Sequence, residues 1–310
     1  MKYGRQFFSI LTIIAGISAV NTAAYGQSSP LTPSPIAQLT KQAEESEEPE
    51  KPEEQPEEPQ KDELSAVDWY NQGVDKIEAG DFQGAIADFT RAIELNSEDA
   101  DSYYNRAYAY HALGNYQPAI EDYSKAIELN PEYAYAFGNR CYAFFLMQRY
   151  DDAVSDCTKA IELEPELADF YIYRGDAQDA LDKHEEAIAD YTEAIRLKDD
   201  SANTYFKRAL AYGSLEEYQK ALDDYTQSIR LDESLADAFY QRGIVNSKLG
   251  NEEEAIADIE QAVKLFDEQN KPEESKKALK TLEDIRGTQE QESNEDREDT
   301  EEQEMMNDER

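Results

Sequence analysis

The chain has 310 residues and a formal net charge of −39, from 69 Asp and Glu against 30 Lys and Arg. Such acidity argues against nucleic acid and anionic head groups as partners, because both are held by clustered Lys and Arg. With two histidines in the whole chain, and no Ser-His-Asp set, phosphate loop or zinc spacing, catalysis is excluded and no cofactor or metal is expected.

The first elements are an export signal and a spacer. Lys2 and Arg5 precede an apolar run from Phe7 to Val20, and small residues follow in Ala23-Ala24-Tyr25-Gly26, so residues 1–26 read as a signal peptide. The mature protein is then expected outside the cytoplasm, periplasmic or extracellular, without a transmembrane helix. Residues 27–64 are Ser/Pro-rich and then Pro/Glu-rich, and Lys41 to Glu63 carries eleven acids and three lysines. Proline stiffness and like-charge repulsion lead to the expectation of an extended, disordered linker.

From Ala66 the sequence repeats itself every 34 residues. Starts fall at Ala66, Ala100, Ala134, Ala168, Ala202 and Ala236, without an insertion, giving units 66–99, 100–133, 134–167, 168–201, 202–235 and 236–269 inside a domain of 65–269. Each unit is predicted to be two antiparallel helices. Small residues recur where helices cross: position 8 holds Gly73, Ala107, Cys141, Gly175, Ala209 and Gly243, and position 20 is Ala throughout. Small residues let backbones approach closely while large apolar ones fill the space between. Residues 270–287, with Pro272 in the first turn, are predicted to form a polar-faced capping helix. Residues 288–310 are expected to form an acidic, disordered tail.

The 34-residue period, the small residues at positions 8, 20 and 27, and the position-4 aromatics Trp69, Tyr103, Phe137, Tyr171, Tyr205 and Phe239 resemble the tetratricopeptide repeat family. The resemblance implies an all-α, right-handed superhelical solenoid of six helix pairs plus a C-terminal capping helix. It also implies a concave groove lined by the first helix of each pair, which holds a protein or peptide segment. Position 6 of those helices gives Asn71, Asn105 and Asn139, then Tyr173 and Lys207, and around them stand Tyr70, Tyr104, Tyr108, Tyr135 and Tyr142. An amide both donates and accepts, so an Asn row can satisfy an extended backbone without reading its sequence. The basic residues of a carboxylate clamp are absent from the matching positions.

Two further patterns carry structural expectations. Position 7 is Arg in five units and position 23 is Asp in all six. They are expected to pair between consecutive units: Asp88 with Arg106, Asp122 with Arg140, Asp156 with Arg174, Asp190 with Arg208, Asp224 with Arg242, and Asp258 with Lys276 of the cap. Cys141 and Cys157 occupy positions 8 and 24 of one unit, as a disulfide or as two small buried thiols. The sequence as a whole indicates an exported scaffold or adaptor binding a protein or peptide segment. The alternative is a structural or self-associating array without a dedicated ligand.

Overall fold

The computed structural model describes residues 64–287 apart from residue 199; the signal, most of the linker and the acidic tail lie outside the described residues. The helices pair as α1 (Ala66–Glu78) with α2 (Phe82–Leu95), α3 (Ala100–Ala112) with α4 (Tyr116–Leu129), and α5 (Ala134–Leu146) with α6 (Tyr150–Leu163). They continue as α7 (Ala168–Asp179) with α8 (His184–Leu197), α9 (Ala202–Ser214) with α10 (Tyr218–Leu231), and α11 (Ala236–Lys248) with α12 (Glu252–Glu268). A final helix, α13, spans residues 272–287. Each helix packs on its neighbours in sequence, and successive first helices also touch one another, which puts them on the inside of the curve.

Local chemistry explains where helices begin and turn. Ser65 caps α1 through a reciprocal box with Asp68, while Asp99 and Ser201 cap α3 and α9. The turn inside each pair requires a left-handed residue at position 15. Gly80, Gly114 and Gly250 take it freely, whereas Gln148, Asp182 and Glu216 are held at φ 60, 57 and 58.

The two helices of a pair meet through positions 8 and 24. A Cβ on Gly73 would stand 2.7 Å from the Phe89 ring, and one on Gly175 would stand 2.8 Å from Tyr191, so a large ring at 24 demands glycine or alanine at 8. In the third pair both positions are Cys, and Cys141 is bonded to Cys157 across a Cα–Cα separation of 5.4 Å. Closing a loop of this size contributes on the order of 3 kcal/mol. Between pairs, Gly138 leaves room for the Phe170 ring, which a Cβ would meet at 2.1 Å.

The Arg–Asp pattern is real, but its register corrects the expectation. Arg106 pairs with Asp122, Arg140 with Asp156, Arg174 with Asp190, Arg208 with Asp224 and Arg242 with Asp258, each inside one unit and each through two nitrogens. The reason is hairpin symmetry. Positions 7 and 23 lie equally far from the turn at position 15, so they stand level across the pair. What crosses between units is the remaining guanidinium nitrogen. Nη1 of Arg106 donates to Thr90 Oγ1 at 3.1 Å, and the same bond recurs from Arg140 to Ser124, Arg174 to Thr158, Arg208 to Thr192 and Arg242 to Thr226. Each arginine also lies over its position-4 ring, 5.5 to 5.8 Å from the centroid.

Gln72 fits this clasp: the first unit has no preceding hydroxyl to reach, and Asp88 is taken instead by Lys76 at 2.6 Å. Lys276 is exposed and is not the partner of Asp258, which is held by Arg242 and Asn246. The cap is secured by Ala278, Leu282 and Ile285 in the last apolar cluster, with Arg286 reaching Glu260.

Candidate functional site

The inner face is built from position 6 outward, and the structure corrects the reading of that row. Asn105 and Asn139 are fully buried between successive first helices, so no ligand reaches them. The Asn139 amide donates to Tyr104 Oη at 3.0 Å, and that of Asn105 donates to Tyr70 Oη at 3.2 Å and to the Asp101 carbonyl at 2.9 Å. The asparagines therefore join α3 to α1 and α5 to α3. A buried amide left without partners costs about 1–3 kcal/mol, and these bonds remove much of that cost while setting the spacing of the units.

The row continues with other chemistry. Tyr173 and Lys207 are also buried. The Lys207 ammonium lies 2.6 Å from Asp176 Oδ2, and Asp176 Oδ1 accepts from Tyr191 Oη at 2.9 Å. Burial raises the Asp176 carboxyl against the opposing pull of Lys207 and Tyr191. Lys207 is thus a buried cation with a buried counter-ion, not a groove contact.

Aromatic rings fill the middle of the inner face. Tyr142 stacks on Tyr173 with centroids 4.7 Å apart and on His111 at 5.5 Å. His111 also meets the rings of Tyr116 and Tyr123, and neither of its nitrogens has a hydrogen-bond partner among the described residues. Burial lowers its pKa to about 4. Tyr104 is buried beneath Tyr133, stacked at 4.8 Å, and Tyr133 Oη donates to Asp101 Oδ1 at 2.6 Å. Of the residues expected in the groove, Tyr70, Asn71, Tyr108 and Tyr135 keep partial exposure, and Phe145 beside them does too. These five side chains belong to the inner surface a ligand can touch.

Two partners of this network went unread in the sequence. The hydroxyl row at position 25 (Thr90, Ser124, Thr158, Thr192, Thr226) was visible as a repeat in register with the arginines. Asp176 had no such signal: position 9 is Val, Tyr, Tyr, Leu and Ile in the other units. Only the packing of α9 on α7 brings it to Lys207.

With six helix pairs, a shared clasp and an inner face formed by the first helices, the chain is an all-α repeat solenoid. It belongs to the tetratricopeptide repeat family: models of that repeat match residues 73–114, 100–133, 134–167, 163–234 and 236–269. Among solved structures, YrrB, described as a tetratricopeptide protein with an unusual peptide-binding site, is 25% identical with a TM-score of 0.53, over 61% of this chain and 97% of that one. A MamA structure is 25% identical with a TM-score of 0.50, over 53% and 96% of the two chains. MamA from Desulfovibrio magneticus RS-1 shares the fold at 19% identity and a TM-score of 0.52, over 55% and 96%. No curated protein matches the chain significantly in sequence. The family membership and the fold mark the protein as an interaction scaffold, with protein or peptide segments as the expected class of partner. Among the described residues no helix is long and apolar enough to cross a membrane.

Proposed function

We propose that the protein is an exported, non-catalytic scaffold that holds an extended segment of a partner protein along the N-terminal half of its concave face. The observation that carries this reading is the set of half-exposed rings and one amide on the first three first helices: Tyr70, Asn71, Tyr108, Tyr135 and Phe145. Tyrosine combines large contact area with a polar tip at low entropy cost, which suits it to such contacts. The peptide-binding site named for YrrB supports peptide binding by a solenoid of similar build. Export is supported by the charged and apolar N-terminal sequence and by the Cys141–Cys157 disulfide, which persists in oxidising compartments.

The test is capture from an envelope extract, with the mature protein beside a Tyr108→Ala/Tyr135→Ala variant whose helicity is checked by circular dichroism. The expected result is a partner retained by the first and lost by the second. A partner retained equally by both places binding on the convex face or outside the repeats, and the groove reading then falls.

A further inference from the structure

A cavity of about 180 Å³ opens at the N-terminal mouth of the concave face, between the start of α1 and the connection into α3. Val67 and Tyr70 supply apolar surface, and Asn71, Asn96, Asp99 and Asp101 supply the polar part of the lining. Sites for whole small molecules run to roughly 300–1,000 Å³, so this volume suits a single side chain.

Its electrostatics are one-sided. Asp99 accepts from the Ser102 amide at 3.1 Å and Asp101 from Tyr133 Oη at 2.6 Å, but no cation lies against either carboxylate among the described residues. Burial raises the Asp101 carboxyl, the Tyr133 hydrogen bond opposes that, and neighbouring Asp99 adds to it. After burial, the same two acids are the next causes that raise the Tyr70 phenol. The walls are also fixed in place, since buried Asn105 holds both the Tyr70 hydroxyl and the Asp101 carbonyl, while its own Oδ1 has no partner among the described residues. Val67, in the lining, is 47% exposed, an apolar surface beside the acids.

A side chain that matches these features has an apolar stem and a positive tip. We propose that the cavity receives a lysine side chain from a basic, extended segment of the partner protein, its methylenes along Val67 and Tyr70 and its ammonium between Asp99 and Asp101. The inference rests on the groove reading above and names the partner's chemistry. The stem stays on apolar surface while the charge meets two carboxylates, which is how lysine is accommodated at low desolvation cost. The chain's charge of −39 adds long-range attraction for a basic segment.

The experiment uses the full mature chain and a fluorescent, acetylated and amidated hexapeptide of alternating lysine and serine, beside the same peptide with glutamine for lysine. Asp99→Asn/Asp101→Asn removes both charges but keeps an oxygen for the helix cap and for Tyr133. Glu185→Gln/Glu186→Gln, at the exposed start of α8, makes the same charge change elsewhere. The lysine peptide should bind wild type and the Glu185/Glu186 control alike, and bind the Asp99/Asp101 variant about tenfold or more weakly, the worth of one charge-assisted hydrogen bond.

Equal loss in both variants would overturn the proposal in favour of diffuse charge, and equal binding of the neutral glutamine peptide would overturn it in favour of uncharged contacts. Light scattering of the chain alone supplies another arm. Concentration-dependent mass that only the Asp99/Asp101 variant abolishes would make a second copy of this chain the occupant and sink the external-partner assignment. In the capture experiment, a partner lost by the Tyr108/Tyr135 variant but kept by the Asp99/Asp101 variant rejects the lysine cavity and leaves the groove standing. One kept by the Tyr108/Tyr135 variant rejects the groove itself.

Discussion

Units one to three and units four to five solve one problem with different chemistry. Both must hold successive first helices together at position 6. In the first region the link is neutral: Asn105 donates to Tyr70 and Asn139 to Tyr104. In the second it is ionic: Lys207 pairs with Asp176, both withdrawn from water. A neutral link broken on one side leaves an unsatisfied dipole, whereas an ionic link broken on one side leaves a buried charge. The comparison teaches that the same repeat position can be replaced cheaply at one end of the array and only at high cost at the other.

The largest effect expected from this contrast is at Asp176. Asp176→Ala strands the Lys207 ammonium and should cost about 3–5 kcal/mol, read as a shift in the urea midpoint. Asp176→Leu combined with Lys207→Met should recover most of that loss, because an apolar pair of similar volume replaces a buried ion pair at little cost. If the double variant is as unstable as the single one, the ionic link contributes more than compensation of its own burial.

The next effect separates the regions by pH. His111 belongs to the neutral region and is buried among Tyr116, Tyr123 and Tyr142, with its pKa lowered from 6.5 to about 4. Because the unfolded chain binds the proton first, this contribution is complete above pH 6.5, falls as pH drops, and is lost by about pH 4. The total is about 3 kcal/mol. Urea titrations across that window should show the slope in wild type and not in His111→Phe. An unchanged slope in the variant would assign acid sensitivity to other groups.

The smallest effect lies within the neutral region. Asn139→Ala removes a bond to a fully buried tyrosine and should cost about 1–3 kcal/mol. Asn105→Ala should cost less, because Tyr70 is partly exposed and water can replace the lost donor. Equal losses would mean that the Asp101 carbonyl bond, rather than the tyrosine, carries the Asn105 contribution.

Much of this protein was legible in one dimension. A 34-residue period with small residues at the crossings dictates paired helices, because only those positions let backbones approach, and six copies in register dictate stacking. The small residues at position 8 and the Arg–Asp pattern itself were equally visible, while the ring at 24 that faces position 8 emerged from the packing. Tertiary structure decided the partners. Asp122 and Arg106 share a unit because distance from the turn, not sequence order, sets which residues stand level. Asn139 turned from ligand contact to internal link because the first helices pack closely enough to bury position 6. The meeting of Asp176 with Lys207, and of Asp99 with Asp101 and Tyr70 around one cavity, belongs to the packing of different helices. A repeat pattern specifies which face a residue occupies, but the residue it meets there depends on how closely the next helix packs.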